Sequence, residues 1–331
     1  MIKSASSEAE RKILTILKVL SESSTPSGSI TIARKLEDHG IHLSERAVRY
    51  HLKIADERGY TQPRGRDGRM ITSQGLEELR IALAPDQLSF ILEKLEVLAI
   101  RTTFNPKTKT GYVPINTSLF NKDEFHKALK VMKNVIKAGI CVSELVAIAY
   151  EGEKLGSVVI PKGKTGFASV CGVIVNGVLL KNGVPMESRF GGILEIKGGK
   201  AVRFTAIIDY GGTSLDPSEQ YIRARMTSVS EAVKTGNGRI LANFREIPAL
   251  SRSIVEEVTI SLNEAGINGI YALGNISTPV CQIAVGMNRI GVILLGGLNP
   301  VAAAVESGFE IENIAESGII DFQRLTSIWH L

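Results

Sequence analysis

Four residues are spaced to read a nucleic-acid groove. Arg46, Arg49, Tyr50 and Lys53 follow one another at i, i+3, i+4 and i+7, so on a helix they share one face. Val48, Leu52 and Ala55 form an apolar stripe on roughly the opposite side. One face packs while the other offers three cations and a phenol, which is the division a recognition helix needs in a major groove. Ser44 stands at the expected N-cap of this helix, and Gly59 at its end. Downstream, two short strand-like pieces flank a Gly-rich turn that carries Arg64, Arg66 and Arg69. Arginine suits phosphate pairing and guanine edges alike. Any one basic helix face is more often a solvated surface. Three helices followed by a basic wing, in that order, is a far more specific pattern. It implies duplex DNA as a partner, with Ser44, Arg46, Arg49, Tyr50, Lys53, Arg64, Arg66 and Arg69 as the contact set. The alternative is a winged domain used for protein contact.

A second group could hold a small anion. Such a site needs cations, hydroxyls or backbone N–H groups converging in a cleft. The candidates are Lys164, Thr165, Ser169 and Cys171, then Thr278 and Cys281. Arg203, Arg225 and Arg245 read as strand-associated arginines able to pair with carboxylates. Lys162-Gly-Lys-Thr165 resembles part of a phosphate loop. Its first glycine position is Val158, and a strand pattern follows where a helix is required. The five histidines lie at no metal-ligand spacing, and no serine nucleophile elbow or carboxylate pair is visible. No cofactor and no catalytic residue is expected. An enzyme acting on a small carboxylic acid, with a DNA-binding domain attached, stays open as the alternative.

The elements that must position these residues divide the chain in two. Residues 1–83 hold 14 Lys/Arg against 11 Asp/Glu, and the remainder 25 against 23, so over half of the +5 net charge lies in the first quarter. Ser7-x-x-Glu10 has the form of a capping box before a first helix through Ile13, Leu17 and Leu20. Ile32, Ala33 and Leu36 mark a second helix stopped by Gly40. After Pro85, the stripe Leu88, Ile91, Leu92, Leu95 and Leu98 predicts a linker helix that joins domains or subunits.

From about Arg101, strand-like runs such as Gly111–Thr117 and Val170–Leu180 alternate with helices near Asn121–Ala138, Ser228–Lys234 and Ala249–Ala265. Asn121-x-x-Glu124 and Ser228-x-x-Glu231 look like further capping boxes. The fold class is therefore α+β, a winged helix-turn-helix domain at 1–83 joined by a helix to a mixed α+β sensor domain at 84–331. A weak internal repeat at an offset of 125 aligns Val159–Gly166 with Ala284–Gly291, and Cys171-Gly172 with Gly296-Gly297. Either two half-units enclose a cleft or Gly/Val-rich strands are alike by chance. Three scattered cysteines suggest no disulfide framework. With no leader-like or membrane-length apolar run, a cytoplasmic protein is expected.

Four stretches resemble a known family: Thr165–Pro185, Ser188-Arg-Phe-Gly-Gly, Asn243-Phe-Arg-Glu-Ile-Pro-Ala and Gly296-Gly-Leu-Asn-Pro-Val-Ala-Ala. With the winged helix before them, the chain resembles the archaeal nitrogen regulatory repressors (NrpR). The resemblance implies a repressor of nitrogen-fixation and assimilation genes. Such a protein binds palindromic operators as a dimer and leaves them when 2-oxoglutarate rises. Many relatives carry two regulatory domains where this chain has room for one, so a larger oligomer or a second NrpR-type subunit are both open as partners.

Overall fold

A computed structural model describes residues 2–23, 25–38, 40–82 and 90–331. Side chains at 2–7, 66, 80 and 81 lie outside the described set, as do the linker residues 83–89 with Pro85 and Leu88. The chain separates into a unit at Met1–Gln87 and a unit at Leu88–Leu331.

The first unit contains α1 (Ile2–Ser21), α2 (Ser29–Glu37), α3 (Glu45–Glu57), the hairpin β1 (Thr61–Pro63) and β2 (Arg69–Ile71), and α4 (Ser73–Ala82). Ile16, Leu20, Ile32, Leu36, Val48 and Leu52 form its core, as the helical spacing predicts. Ser7 lies inside α1, so it is not a cap. The helix-forming stretch continues upstream of it, and propensity outweighs the capping pattern there. Ser27 pairs with Arg69 through both backbone bonds, each 3.0 Å, an isolated bridge that ties the segment before α2 to the wing. That pairing is so close that a Cβ on Gly68 would lie 2.3 Å from the Ser27 carbonyl, and Gly68 has φ +115°.

The second unit runs α5 (Phe90–Arg101), β3 (Tyr112–Asn121), α6 (Phe125–Lys137), β4 (Leu145–Ala149), β5 (Lys154–Leu155), β6 (Val158–Val159), β7 (Lys164–Val170) and α7 (Val173–Lys181). It continues with β8 (Glu187–Lys197), β9 (Lys200–Asp209), α8 (Pro217–Arg223), α9 (Val229–Thr235), β10 (Gly238–Pro248), α10 (Arg252–Glu264), β11 (Ile270–Ile276), β12 (Arg289–Leu295), α11 (Asn299–Glu306), β13 (Ile311–Asp321) and β14 (Thr326–Ser327). The run Val170–Leu180, expected as a strand, is instead the end of β7 and the helix α7. Residues 173–179 are all buried, so the helix shows no polar face and no 3.6-residue period. A continuous apolar run cannot be told from a buried strand by pattern alone.

Two capping boxes also fail. α6 starts at Phe125, with Asn121 Nδ2 donating to the Glu124 carboxylate rather than capping. At α9 the distant Glu306 carboxylate accepts from the N–H groups of Val229 and Ser230, at 2.7 and 2.9 Å, and displaces the local box.

The repeat is a feature of the topology. β3-α6-β4-β7-α7-β8 is matched by β10-α10-β11-β12-α11-β13, each element starting about 125 residues after its counterpart. One sheet has the order β13-β3-β7-β4-β14 and the other β11-β12-β10-β8-β9. Each half therefore gives its last strand to the other half's sheet. β8 pairs antiparallel with β10, and β13 with β3. A single core spans both sheets and the helices over them.

Gly68→Ala forces a side chain into the Ser27 backbone at a left-handed φ. It should destabilise the winged unit by roughly 1–3 kcal/mol. Urea unfolding of the purified protein checks this, and an unchanged midpoint for the first transition would refute the wing geometry.

Candidate DNA-contact face and buried anion site

In the winged unit, Ser44 caps α3, its hydroxyl accepting from Ala47 N–H at 3.3 Å. Val48, His51, Leu52 and Ala55 are buried, while Arg46, Arg49, Tyr50 and Lys53 are exposed on the other side. His51 was not foreseen as core. Burial, then Lys12, lowers its pKa and favours the neutral ring. Arg49 Nη2 lies 2.5 Å from Glu45 Oε1, and that carboxylate also accepts from Ser29 Oγ at 2.9 Å. The Arg49–Glu45–Ser29 set ties α3 to the start of α2 and leaves the Arg49 side chain about two-thirds exposed. Lys53 stands 3.9 Å from Glu57. Among the described residues, Arg46 and Arg64 have no ion-pair partner. Arg69 differs from the other wing arginines. Its Nε donates to Asp56 at 2.8 Å, binding the base of the wing to the recognition helix. The Arg66 side chain lies outside the described residues.

In the second unit the two repeat-related strand-to-helix turns meet. Val170-Cys171-Gly172 leads from β7 into α7, and Leu295-Gly296-Gly297-Leu298 leads from β12 into α11. They abut closely. A Cβ on Gly297 would lie 2.6 Å from Val170 O and from Asn116 Nδ2, and one on Gly172 3.4 Å from Leu295 O. Two helix N-termini thus open beside one small cavity of about 20 Å3, lined among others by Leu95, Asn116, Cys171, Tyr210, Arg245 and Glu316. That is room for about one water molecule.

Arg245 dominates the cavity. It is 1% exposed, and it is the bulkiest of the fully buried side chains. Its guanidinium carbon lies 4.7 Å from the Tyr210 ring centroid, and Nη1 donates to Phe244 O at 3.3 Å. Nε has no partner, and no carboxylate lies within ion-pair distance among the described residues. Leaving a buried charge unpaired usually costs roughly 3–5 kcal/mol. Tyr210 OH donates to Asn243 Oδ1 at 2.6 Å, which fixes the ring under the guanidinium. Burial pushes the Tyr210 hydroxyl and the Cys171 thiol up, so both keep their protons. Helix α5 lies over the cavity, with Ile91, Leu95 and Leu98 packed on Cys171, Val173 and Tyr210.

Of the six expected anion ligands, Cys171 lines this cavity. Ser169 is one step behind it, with its hydroxyl 3.5 Å from Asn116 Nδ2. The other four do not converge there. Lys164 sits at the opposite end of β7, bonded to Asn121, and Thr165 is buried beside it. Thr278 and Cys281 belong to the loop between β11 and β12. In strands, neighbours along the chain diverge to opposite faces and distant ends, so proximity in sequence is a poor guide. Arg203 pairs with Glu195 at the surface, and Arg225 stands exposed in a turn rather than a strand. Asn116, Tyr210, Asn243 and Glu316 also line the cavity and were not among the expected residues, and Lys94 stands 3.6 Å from Glu316. The signal within reach was Asn243-Phe-Arg245, where two polar side chains alternate with apolar ones on a central strand. Among the described residues, no group of His, Cys, Asp or Glu is placed to hold a metal ion. No described helix is long and apolar enough to cross a membrane.

The comparisons with known proteins agree with this division. Residues 88–327 match the family model "NrpR regulatory domains NRD1 and 2", and residues 14–79 match "Ribonuclease R winged-helix domain". The chain is 38% identical over 321 residues to the global nitrogen regulator NrpRI of Methanosarcina mazei, covering 97% of this chain and 99% of that one. It is 33% identical to the global nitrogen regulator NrpR of Methanocaldococcus jannaschii, covering 96% of this chain but 55% of that longer protein. A crystal structure of a nitrogen repressor-like protein from Methanococcus jannaschii matches with a TM-score of 0.61 at 28% identity, covering 72% of this chain and 98% of the other. A winged-helix domain followed by a regulatory domain of this kind, aligned along almost the whole of a relative of the same length, places the chain in the NrpR family of global nitrogen regulators.

Proposed function

We propose that this protein is a nitrogen-responsive repressor. As a homodimer it grips palindromic operator DNA through α3 and the wing, and it lets go when 2-oxoglutarate occupies the cavity at Arg245. The observation that carries the effector half is the buried Arg245, with an unpartnered Nε and no carboxylate within ion-pair distance among the described residues. A buried guanidinium held against an aromatic face, in a cavity that two helix N-termini also line, suits a carboxylate. A dicarboxylate supplies the missing charge and more. Since the resting cavity holds about one water, the ligand favours a form in which the site has opened. Only such a difference in affinity between two forms can alter DNA binding. The cytoplasm is where operator and metabolite meet.

On the DNA side, Arg46, Arg49, Tyr50 and Lys53 lie along the groove, and Arg64 at the wing reaches the backbone. Fluorescence anisotropy on duplex DNA from the promoter of a nitrogen-assimilation gene tests this. Arg49→Ala with Lys53→Ala should weaken binding about tenfold to a hundredfold and lower the log–log salt slope by roughly 2. An unchanged slope would mean that this face does not touch phosphate.

Arg245→Met is the matching test for the effector. It should leave the protein as stable as the parent, or up to about 3 kcal/mol more stable, because an apolar replacement removes a buried charge that has no direct ion-pair partner. The variant should stay on the operator at 2-oxoglutarate concentrations that release the parent. Release of the variant at the parental concentration would place the effector elsewhere.

A further inference from the structure

The same cavity is lined by a carboxylate, Glu316, that an anion site would ordinarily avoid, and the buried Asp216 lies next to it. Glu316 reaches it through a bulge, where the β13–β3 register breaks between Ile314 and Gly318. Its backbone stands at φ +48°, in the left-handed region. Three bonds hold the bulge there. Ala315 N–H donates to Glu219 at 2.7 Å, Glu316 N–H to Asn116 Oδ1 at 3.0 Å, and the Thr117 and Ser317 hydroxyls meet at 2.7 Å. A non-glycine residue over-determined in this way marks a functional position. The effect is to deliver a carboxylate that is 8% exposed, with Oε2 lacking any hydrogen bond.

Charged groups face Glu316 from every packed element. From α5, Lys94 Nζ stands 3.6 Å from Oε2 and donates to Ala315 O at 2.7 Å. From the start of α8 come Asp216, which is buried, and Glu219, which is partly exposed beside Arg223. From β10 comes Arg245, and the neutral Tyr210 and Cys171 complete the surround. Burial, reinforced by Glu316, drives Asp216 well above the usual carboxylate range. Burial raises Glu316 too, against the pull of Lys94. Like charges in one buried place oppose each other, so the two carboxyls together hold a proton more readily than either would alone.

We propose that the Asp216–Glu316 pair is a proton acceptor built into the effector site, so that each dianion bound at Arg245 brings about one proton with it. This rests on the reading of the cavity as a dicarboxylate site. Lys94 and Arg245 together oppose a pair that carries one net negative charge. A dianion tips that enclosed balance from positive to negative, which is costly at low dielectric. A proton on the pair restores it and frees Lys94 from Glu316 to meet the second carboxylate. The sign follows directly. The bound anion raises the acids' proton affinity further, so protons are taken up on binding. Ligand affinity then rises as pH falls, by up to about tenfold per unit where a full proton is taken up.

Isothermal titration of the full chain with 2-oxoglutarate, in buffers of different ionisation enthalpy, counts the protons. The parent should take up about one near neutral pH. Glu316→Gln and Asp216→Asn should each cut the uptake to near zero while keeping affinity within about tenfold, since both are isosteric and Asn caps α8 as well as Asp does. Binding without uptake in the parent, or undiminished uptake in both variants, would overturn the proton-acceptor role and leave the anion site standing. No binding by the parent, or binding that Arg245→Met does not weaken, would overturn both.

Discussion

The exchange of terminal strands between the two half-units is the constraint from which the rest of the regulatory unit follows. Neither sheet is complete until the other half has supplied β8 or β13. The halves therefore cannot fold as independent lobes. They are locked face to face, and their equivalent strand-to-helix turns are forced into contact at Gly172 and Gly297. Two helix N-termini that would lie apart in separate lobes are brought to one point. The polar cavity is a product of that geometry. It needs no insertion or extra loop, only different side chains at equivalent places in the two halves.

Against this frame, the electrostatics are asymmetric by design of sequence. β10 contributes Asn243 and Arg245 to the cavity, β3 contributes Asn116, and the β13 bulge contributes Glu316. Lys94 is added from α5, a helix outside the repeat. The site thus mixes cations and acids whose charges nearly cancel in the resting form. On the proposed reading, a site made only of cations would bind any anion, whereas one holding its own acids admits only a ligand that satisfies the cations better than they do.

The sequence was most legible where structure is local. The α3 face, its Ser44 cap and the wing glycines follow from spacing and backbone preference, and each lies within a few residues of its partners. The repeat was visible as an offset, because Gly166/Gly291 recur where core side chains leave no room for a Cβ and Gly172/Gly297 where backbones approach closely. What could not be read is non-local. Glu306 caps a helix some 75 residues away in the chain, and Asn116 meets Glu316 across 200. α7 looked like a strand because its complete burial erases the pattern that distinguishes helices. Four of the six expected anion ligands lie away from this cavity for a related reason: they were chosen by residue type near glycine-rich strands, whereas the lining is set by which strand ends the exchange brings together.

The size of the resting cavity sets a threshold as well as a shape. A space of about 20 Å3 has room for about one water molecule, so a larger ligand fits only when the packing around it loosens, Leu95 in its lining and Ile91 and Leu98 in the same cluster. The work of that loosening is subtracted from the intrinsic affinity, with every 1.4 kcal/mol raising the half-saturating concentration about tenfold. On the proposed reading of the cavity, Leu95 and its neighbours on α5 are thus a dial for the ligand concentration at which the site fills, adjustable by single methyl groups in the packing around it.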